Sequence, residues 1–179
     1  MEITMLGYSA FDGIPTMTDS EVMGLYDRMV KDGTNETVFY DGSAYDAESF
    51  LSLMKHGLNQ LWVVSLDRDV IGVVWLNELQ RKSAAFHFCF FSNAWGADTV
   101  AIGKKIVMDL LNMKSSSGYV FDILTGMVPV INVRAHKWCR GMGFRVLGTL
   151  PKACWIKSLE KSVPGIVYYA ERGKYGKGI

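Results

Sequence analysis

Residues Ile123 to Gly148 read ILTGMVPVINVRAHKWCRGMGFRVLG. The order inside this stretch is the end of a strand, a turn, a short helix, a glycine stop and a new strand. Pro129 lacks an N–H and breaks the first strand. Asn132 is a preferred helix N-cap. Ala135, Trp138, Cys139 and Met142 space an apolar stripe at helical period, and Gly143 lets the chain turn out of the helix. Phe144, Val146 and Leu147 begin the next strand. Asn132 to the Gly143-Phe144 pair covers about three turns.

Working toward the N-terminus, Tyr119 to Leu124 reads as a strand and Ser115-Ser116-Ser117-Gly118 as a linker. Thr99 to Met113 is a predicted helix, with Val100, Ile102, Ile106, Val107, Leu110 and Leu111 on one face. Ser92 to Asp98 is a loop. Ala84 to Phe91, AAFHFCFF, is apolar enough to be a central strand. Leu61–Leu66 and Val70–Leu76 form a hairpin around Asp67-Arg68-Asp69. Ahead of it lie two helices. One opens at Thr18-Asp19-Ser20-Glu21 and ends at Gly33; the other opens at Tyr45-Asp46 and stops at Gly57. The polar segment Asp32 to Ser43 reads as a surface loop and a pocket wall. Met1 to Tyr8 is an edge strand, Ile166 to Ala170 a last strand, and Lys174 to Ile179 a frayed tail. The sum is an α/β domain with a mixed central sheet. The strand–helix–strand unit from Ala84 to Leu124 makes a parallel crossover.

Composition narrows the class. The 179 residues predict one domain, 1–179, large enough to fold without a metal or disulfide. A formal charge of +1 gives no global attraction to nucleic acid or membrane. Cys89, Cys139 and Cys154 show no metal-ligand spacing and suit a reduced compartment. Glu2, Asp12 and Asp19 interrupt any signal-peptide pattern, and no apolar run is long enough to span a bilayer. The expectation is a cytoplasmic protein.

The segment quoted first resembles the GCN5-related N-acetyltransferase superfamily. Members often carry an Asn at the start of the fourth helix, a small residue three later and a Gly-Phe pair at its end. Here these are Asn132, Ala135 and Gly143-Phe144; Gly126, Pro129 and Gly148 fit beside them. The likeness extends from Leu61 to Arg172. The family's Arg/Gln-x-x-Gly-x-Gly/Ala loop aligns with Trp95, Gly96, Ala97, Asp98, Thr99 and Val100, whose Trp-Gly pair looks like that of the ribosomal-protein acetyltransferase branch. The second glycine is replaced by Asp98. In such a loop, backbone N–H groups at a helix N-terminus bind the pyrophosphate of acyl-coenzyme A. Asp98 either sets a negative charge where the anion sits or turns outward to cap the helix at Val100 or Ala101.

The resemblance implies a mixed sheet flanked by helices, with parallel strands splayed into a cleft for acetyl-coenzyme A. It implies acetyl transfer to a primary amine of a small molecule, an aminoacyl group or a protein. Backbone at Phe90 and Phe91 would serve the thioester carbonyl, and Asn132 the pantetheine arm. The family's usual proton donor, a Tyr four residues before the Gly of Gly-Phe, is replaced by Cys139. That thiol is either the acid or a buried core residue; Tyr168 and Tyr169 are other sources of a hydroxyl. His87 is the only titratable group inside the central strand and the candidate base, with a satisfied core histidine as the plain alternative. His136 reads as solvent-facing. Glu78 and Asp122 are further carboxylates at strand positions, and Lys104 and Lys105 read as a solvated helix face. Trp62, Trp75 and Trp138 suit the core, Trp95 and Trp155 the surface. Neither metal nor nucleic acid is expected, and a homodimer is allowed. A catalytically silent binding or assembly module of the same fold is the rival reading, resting on Asp98, Cys139 and the want of a clear base.

Overall fold

A computed structural model describes residues 2–11, 13–96 and 98–176. The strands are β1 (Ile3–Gly7), β2 (Ala10–Phe11), β3 (Ile14–Pro15), β4 (Gln60–Leu66), β5 (Asp69–Asn77), β6 (Ser83–Phe90), β7 (Lys114–Ser115), β8 (Gly118–Tyr119), β9 (Ile123–Pro129), β10 (Arg145–Ile156) and β11 (Lys161–Glu171). The helices are α1 (Asp19–Lys31), α2 (Asn35–Val38), α3 (Ala47–Lys55), α4 (Thr99–Leu111) and α5 (Val133–Met142). The main sheet has seven strands in the order β1-β4-β5-β6-β9-β11-β10. This is the mixed sheet flanked by helices that the sequence predicts, with β6 at its centre.

The chain divides into two compact units, Met1–Asn77 with His87–Gly96, and Glu78–Phe86 with Ala97–Ile179. In the first, α1 begins with a capping box. Thr18 Oγ1 accepts from Glu21 N–H, and the Glu21 carboxylate accepts from Thr18 N–H at 2.7 Å, which holds its pKa below the usual range. Val22, Leu25, Tyr26 and Met29 then bury one face of α1. They pack in a core with Phe39, Phe50, Met54, Leu61, Val73, Trp75 and Phe91. Phe39 stacks on Trp75 at 5.5 Å between centroids, an aromatic contact beyond simple area burial. The expected loop after α1 carries the short helix α2, and β2–β3 form a small hairpin that the apolar pattern did not announce.

In the second unit β6 and β9 run parallel, with register Ser83↔Ile123 to Ala85↔Thr125. On its other edge β9 pairs antiparallel with β11 from Ile123↔Glu171 to Pro129↔Gly165. The strand expected at Tyr119–Leu124 is therefore displaced: Tyr119 belongs to the hairpin β7–β8, and β9 runs on to Pro129. Proline is tolerated there because it is the strand's last residue. β10 pairs with β11 with register shifts between Val146 and Gly148 and between Leu150 and Cys154. α4 and α5 meet closely. A Cβ on Gly103 would lie 2.5 Å from the Trp138 ring and strike Met142, and one on Gly141 would lie 3.2 Å from Val100.

Candidate functional site

The signature segment of the second unit is built as its residues suggest. Asn132 Oδ1 accepts from Ala135 N–H at 3.1 Å, so the asparagine caps α5. Its own N–H donates to the Pro129 carbonyl at 2.8 Å, closing the turn from β9. At the far end Gly143 takes φ 93°, and Phe144 N–H donates to the Cys139 carbonyl at 3.0 Å. The helix stops there because only glycine enters the left-handed region without strain.

His136 corrects the sequence reading. It is not solvent-facing but 8% exposed, with a partner on each ring nitrogen. Nε2 lies 3.0 Å from the Pro129 carbonyl, which only accepts, so Nε2 carries the proton. Nδ1 is then the lone pair that accepts from the Tyr168 hydroxyl at 2.8 Å. The signal was present: Asn132, His136, Cys139 and Gly143 recur at helical spacing, so position 136 lies on the stripe that Cys139 buries. Tyr168 is fully buried, and desolvation, with Cys139 beside it, raises its pKa. Cys139 is 5% exposed, and burial pushes its thiol up to about 12. Giving a proton to a thiolate of ordinary pKa near 8.5 from there is uphill by roughly 5 kcal/mol.

At the start of α4 the structure overturns the expected cap. Asp98 has φ −81° and ψ −13°, and its side chain makes no bond to the helix. An N-cap needs an extended backbone for its oxygen to reach N2 or N3, and this residue is helical. Its carbonyl accepts from Ile102 N–H at 2.9 Å, while the side chain is exposed. Thr99 and Val100 form the first turn without a side-chain cap. Gly96 sits at φ 147°, a conformation that favours glycine. Ala97 lies outside the described residues.

The first unit holds the other expected site residues. His87 stacks on Trp75 with centroids 4.9 Å apart and planes 8° apart, and its Nε2 donates to Asn77 Oδ1 at 2.8 Å. Desolvation lowers its pKa to about 4 against the opposing charge of Asp41, so the ring is neutral at pH 7 and a feeble base. The Phe90 carbonyl accepts from the Trp95 indole N–H at 2.9 Å. Phe91 N–H donates to the Ile71 carbonyl at 2.8 Å. That bond commits the Phe91 amide, which corrects its expected role toward a thioester. It forms because Gly72 lets β6 close on β5: a Cβ there would lie 2.5 Å from the Cys89 carbonyl oxygen.

The remaining candidates are scattered. In the second unit Asp122 Oδ1 receives Nε and Nη2 of Arg172 at 3.1 and 2.7 Å, and Glu78 is exposed at φ 48°. Lys105 pairs with Asp109 one turn on, as a solvated face does. Among the described residues no group of His, Cys, Asp and Glu could hold a metal, and no helix is long and apolar enough to cross a membrane.

No family model matches the sequence, and no curated protein is recognisably similar to it. Solved structures are. The chain is 17% identical to a microcin C7 self-immunity acetyltransferase solved with acetyl-CoA and AMP. The TM-score is 0.69, over 95% of this chain and 92% of that one. It is 14% identical, with a TM-score of 0.71 over 95% and 99%, to the Salmonella typhimurium acetyltransferase that modifies the N-terminal serine of ribosomal protein L7/L12. It is 15% identical to spermidine N-acetyltransferase from Vibrio cholerae in complex with CoA and spermine, TM-score 0.69 over 97% of each chain. At these identities the likeness establishes the fold, and the chain has that of the GCN5-related N-acetyltransferases.

Proposed function

We propose that this chain, as one acyltransferase-like domain over 1–179, transfers an acetyl group from acetyl-CoA to a primary amine. The carrying observation is the end of the parallel register at Ala85↔Thr125 while β9 continues to Pro129. The residues Gly126 to Pro129 thus offer backbone groups to the pantetheine arm, much as an added strand would use them. Asn132 spends its side-chain oxygen on α5, which leaves its Nδ2 to meet a pantetheine carbonyl. The first turn of α4 has no side-chain cap, and the helix dipole there favours the pyrophosphate. With Phe91 committed, the thioester carbonyl falls to backbone at Phe90. Trp95 and Gly96 lead into that loop.

Neither Cys139 nor His87 has a pKa suited to proton transfer at pH 7, so orientation of the amine against the thioester carries the rate. Solvent then takes the proton of the acceptor amine as the C–N bond forms, and returns one to the CoA thiolate that leaves as the C–S bond breaks. Acetyl-CoA supplies the acyl group; the acceptor is a small amine, an aminoacyl group or a protein N-terminus, without nucleic acid or membrane, in the cytoplasm.

Calorimetric titration with acetyl-CoA tests this reading, and no binding at millimolar cofactor removes it in favour of a silent module of the same fold. In an amine-acetylation assay, Cys139→Ser is expected to keep kcat within about threefold, because proton transfer through that thiol is uphill. A loss beyond about a hundredfold would restore Cys139 as the acid.

A further inference from the structure

The end of β9 is held by a helix side chain. Past Ala85↔Thr125 the register of β9 continues with β11 alone among the described strands. A strand end paired on one side is the less stable part of a sheet. Pro129, the last residue, brings no N–H, so its carbonyl is its one backbone hydrogen-bonding group. That carbonyl accepts twice, from Asn132 N–H at 2.8 Å and from His136 Nε2 at 3.0 Å. The His136 ring is fixed in its turn, because Nδ1 accepts from the Tyr168 hydroxyl at 2.8 Å. Tyr168 stands on β11 opposite Gly126. The bonds therefore start on β11 across from Gly126, pass through the imidazole and finish on Pro129, spanning the length of β9 that has left β6.

Each member of this chain of bonds acts in one sense. The carbonyl accepts, which places the ring proton on Nε2, and Tyr168 spends its own proton on Nδ1. Tyr168 and His136 are both buried, so removing either partner leaves the other unpaired away from water. The helix does not need His136 for its own ends. Asn132 caps the start of α5 and Gly143 stops it. The histidine side chain is spent outside the helix, on the neighbouring strand.

We infer that His136 and Tyr168 are positioning residues for acetyl-CoA, holding the end of β9 in the line along which the pantetheine arm lies. The inference rests on the function proposed above. Backbone groups have no side chain with which to re-aim, so they are placed as accurately as the strand that carries them. A strand end that becomes ordered when the cofactor arrives lowers cofactor affinity by the cost of ordering it. The nucleotide part of the cofactor has no share in that cost.

The test uses the full chain and two ligands, acetyl-CoA and adenosine 3′,5′-diphosphate, which is the nucleotide part without the arm. Acetyl-CoA is titrated calorimetrically, and the diphosphate is measured as a competitor. His136→Leu is expected to weaken acetyl-CoA about tenfold and to leave the diphosphate within about twofold. Tyr168→Phe, which removes a single oxygen, is expected to weaken acetyl-CoA about threefold, and it carries the test where His136→Leu does not fold. His136→Gln, whose amide can donate one bond and accept another, should recover most of the loss. Hydrogen exchange at the Val128 amide should rise in His136→Leu and Tyr168→Phe. Three results overturn the inference alone: unchanged acetyl-CoA affinity in a folded variant, equal weakening of both ligands, or unchanged exchange at Val128. Failure of the unaltered protein to bind acetyl-CoA overturns this inference and the proposed function together.

Discussion

The unit Met1–Asn77 with His87–Gly96 carries four Lys and Arg against twelve Asp and Glu; the unit Glu78–Phe86 with Ala97–Ile179 carries fifteen against six. Their charges are −8 and +9, and the +1 of the whole chain is what remains after they cancel. From residue 32 to residue 54 there are five acidic residues and no Lys or Arg. α5, in contrast, has Arg134, Lys137 and Arg140 exposed and no acidic residue. A neutral total is therefore no evidence of a weak field. The inference from +1 to no long-range attraction holds for the far field alone; each unit by itself is strongly charged within a Debye length. The basic unit carries the contacts proposed for the pantetheine arm and for the first turn of α4.

The comparison can be broken most severely through packing. Each unit has a glycine where a strand or helix approaches too closely for a side chain. In the acidic unit a Cβ on Gly72 meets the Cys89 carbonyl oxygen at 2.5 Å and Phe90 Cα at 3.0 Å, both backbone. In the basic unit a Cβ on Gly103 meets side chains, Trp138 and Met142. Gly72→Ala should cost ~3 kcal/mol or more in a denaturant titration and Gly103→Ala less, because methionine can move and a strand cannot. Equal losses would mean that both sites yield alike.

Acid probes the acidic unit through His87, half-buried and stacked on Trp75. His87 titrates near 4 in the fold and near 6.5 when unfolded. Between those values the unfolded chain binds more protons, so its stabilisation is present above pH 6.5 and is lost as pH falls toward 4. The loss comes to ~3 kcal/mol, and His87→Leu should flatten that limb of the stability profile. A smaller effect sharpens the charge division itself. Raising salt from about 20 to about 200 mM should weaken acetyl-CoA binding about fivefold, since the basic unit supplies the attraction. Salt-insensitive binding would mean that short hydrogen bonds alone hold the cofactor.

Much of the fold is legible in the chain because its punctuation is local. Thr18 and Glu21, Asp46, Asn132 and Gly143 end helices by bonds within a few residues, and these appear as read. The β9 boundary is misread because Pro129 looks like a breaker inside the pattern when it is the last rung against Gly165. The site is less legible. His136 depends on Tyr168, thirty-two residues away, and the commitment of Phe91 depends on Ile71 and Gly72. Such contacts are set by tertiary approach, which leaves no mark in local spacing. The charge division is in the sequence: His87–Gly96 carries no charged residue, and residues 1–77 alone hold the −8.

β10 is one of the two outer strands of the seven, and its pairing is interrupted twice in twelve residues. Pro151 brings no N–H to it, and Lys152 follows at φ 55°. A further strand laid along this rim would lose its rungs at the middle and face a cation beside them. This rim of the sheet is thus closed to growth by its own last strand. The exposed Val146, Leu147 and Trp155 can remain at the surface without recruiting a second chain by backbone pairing.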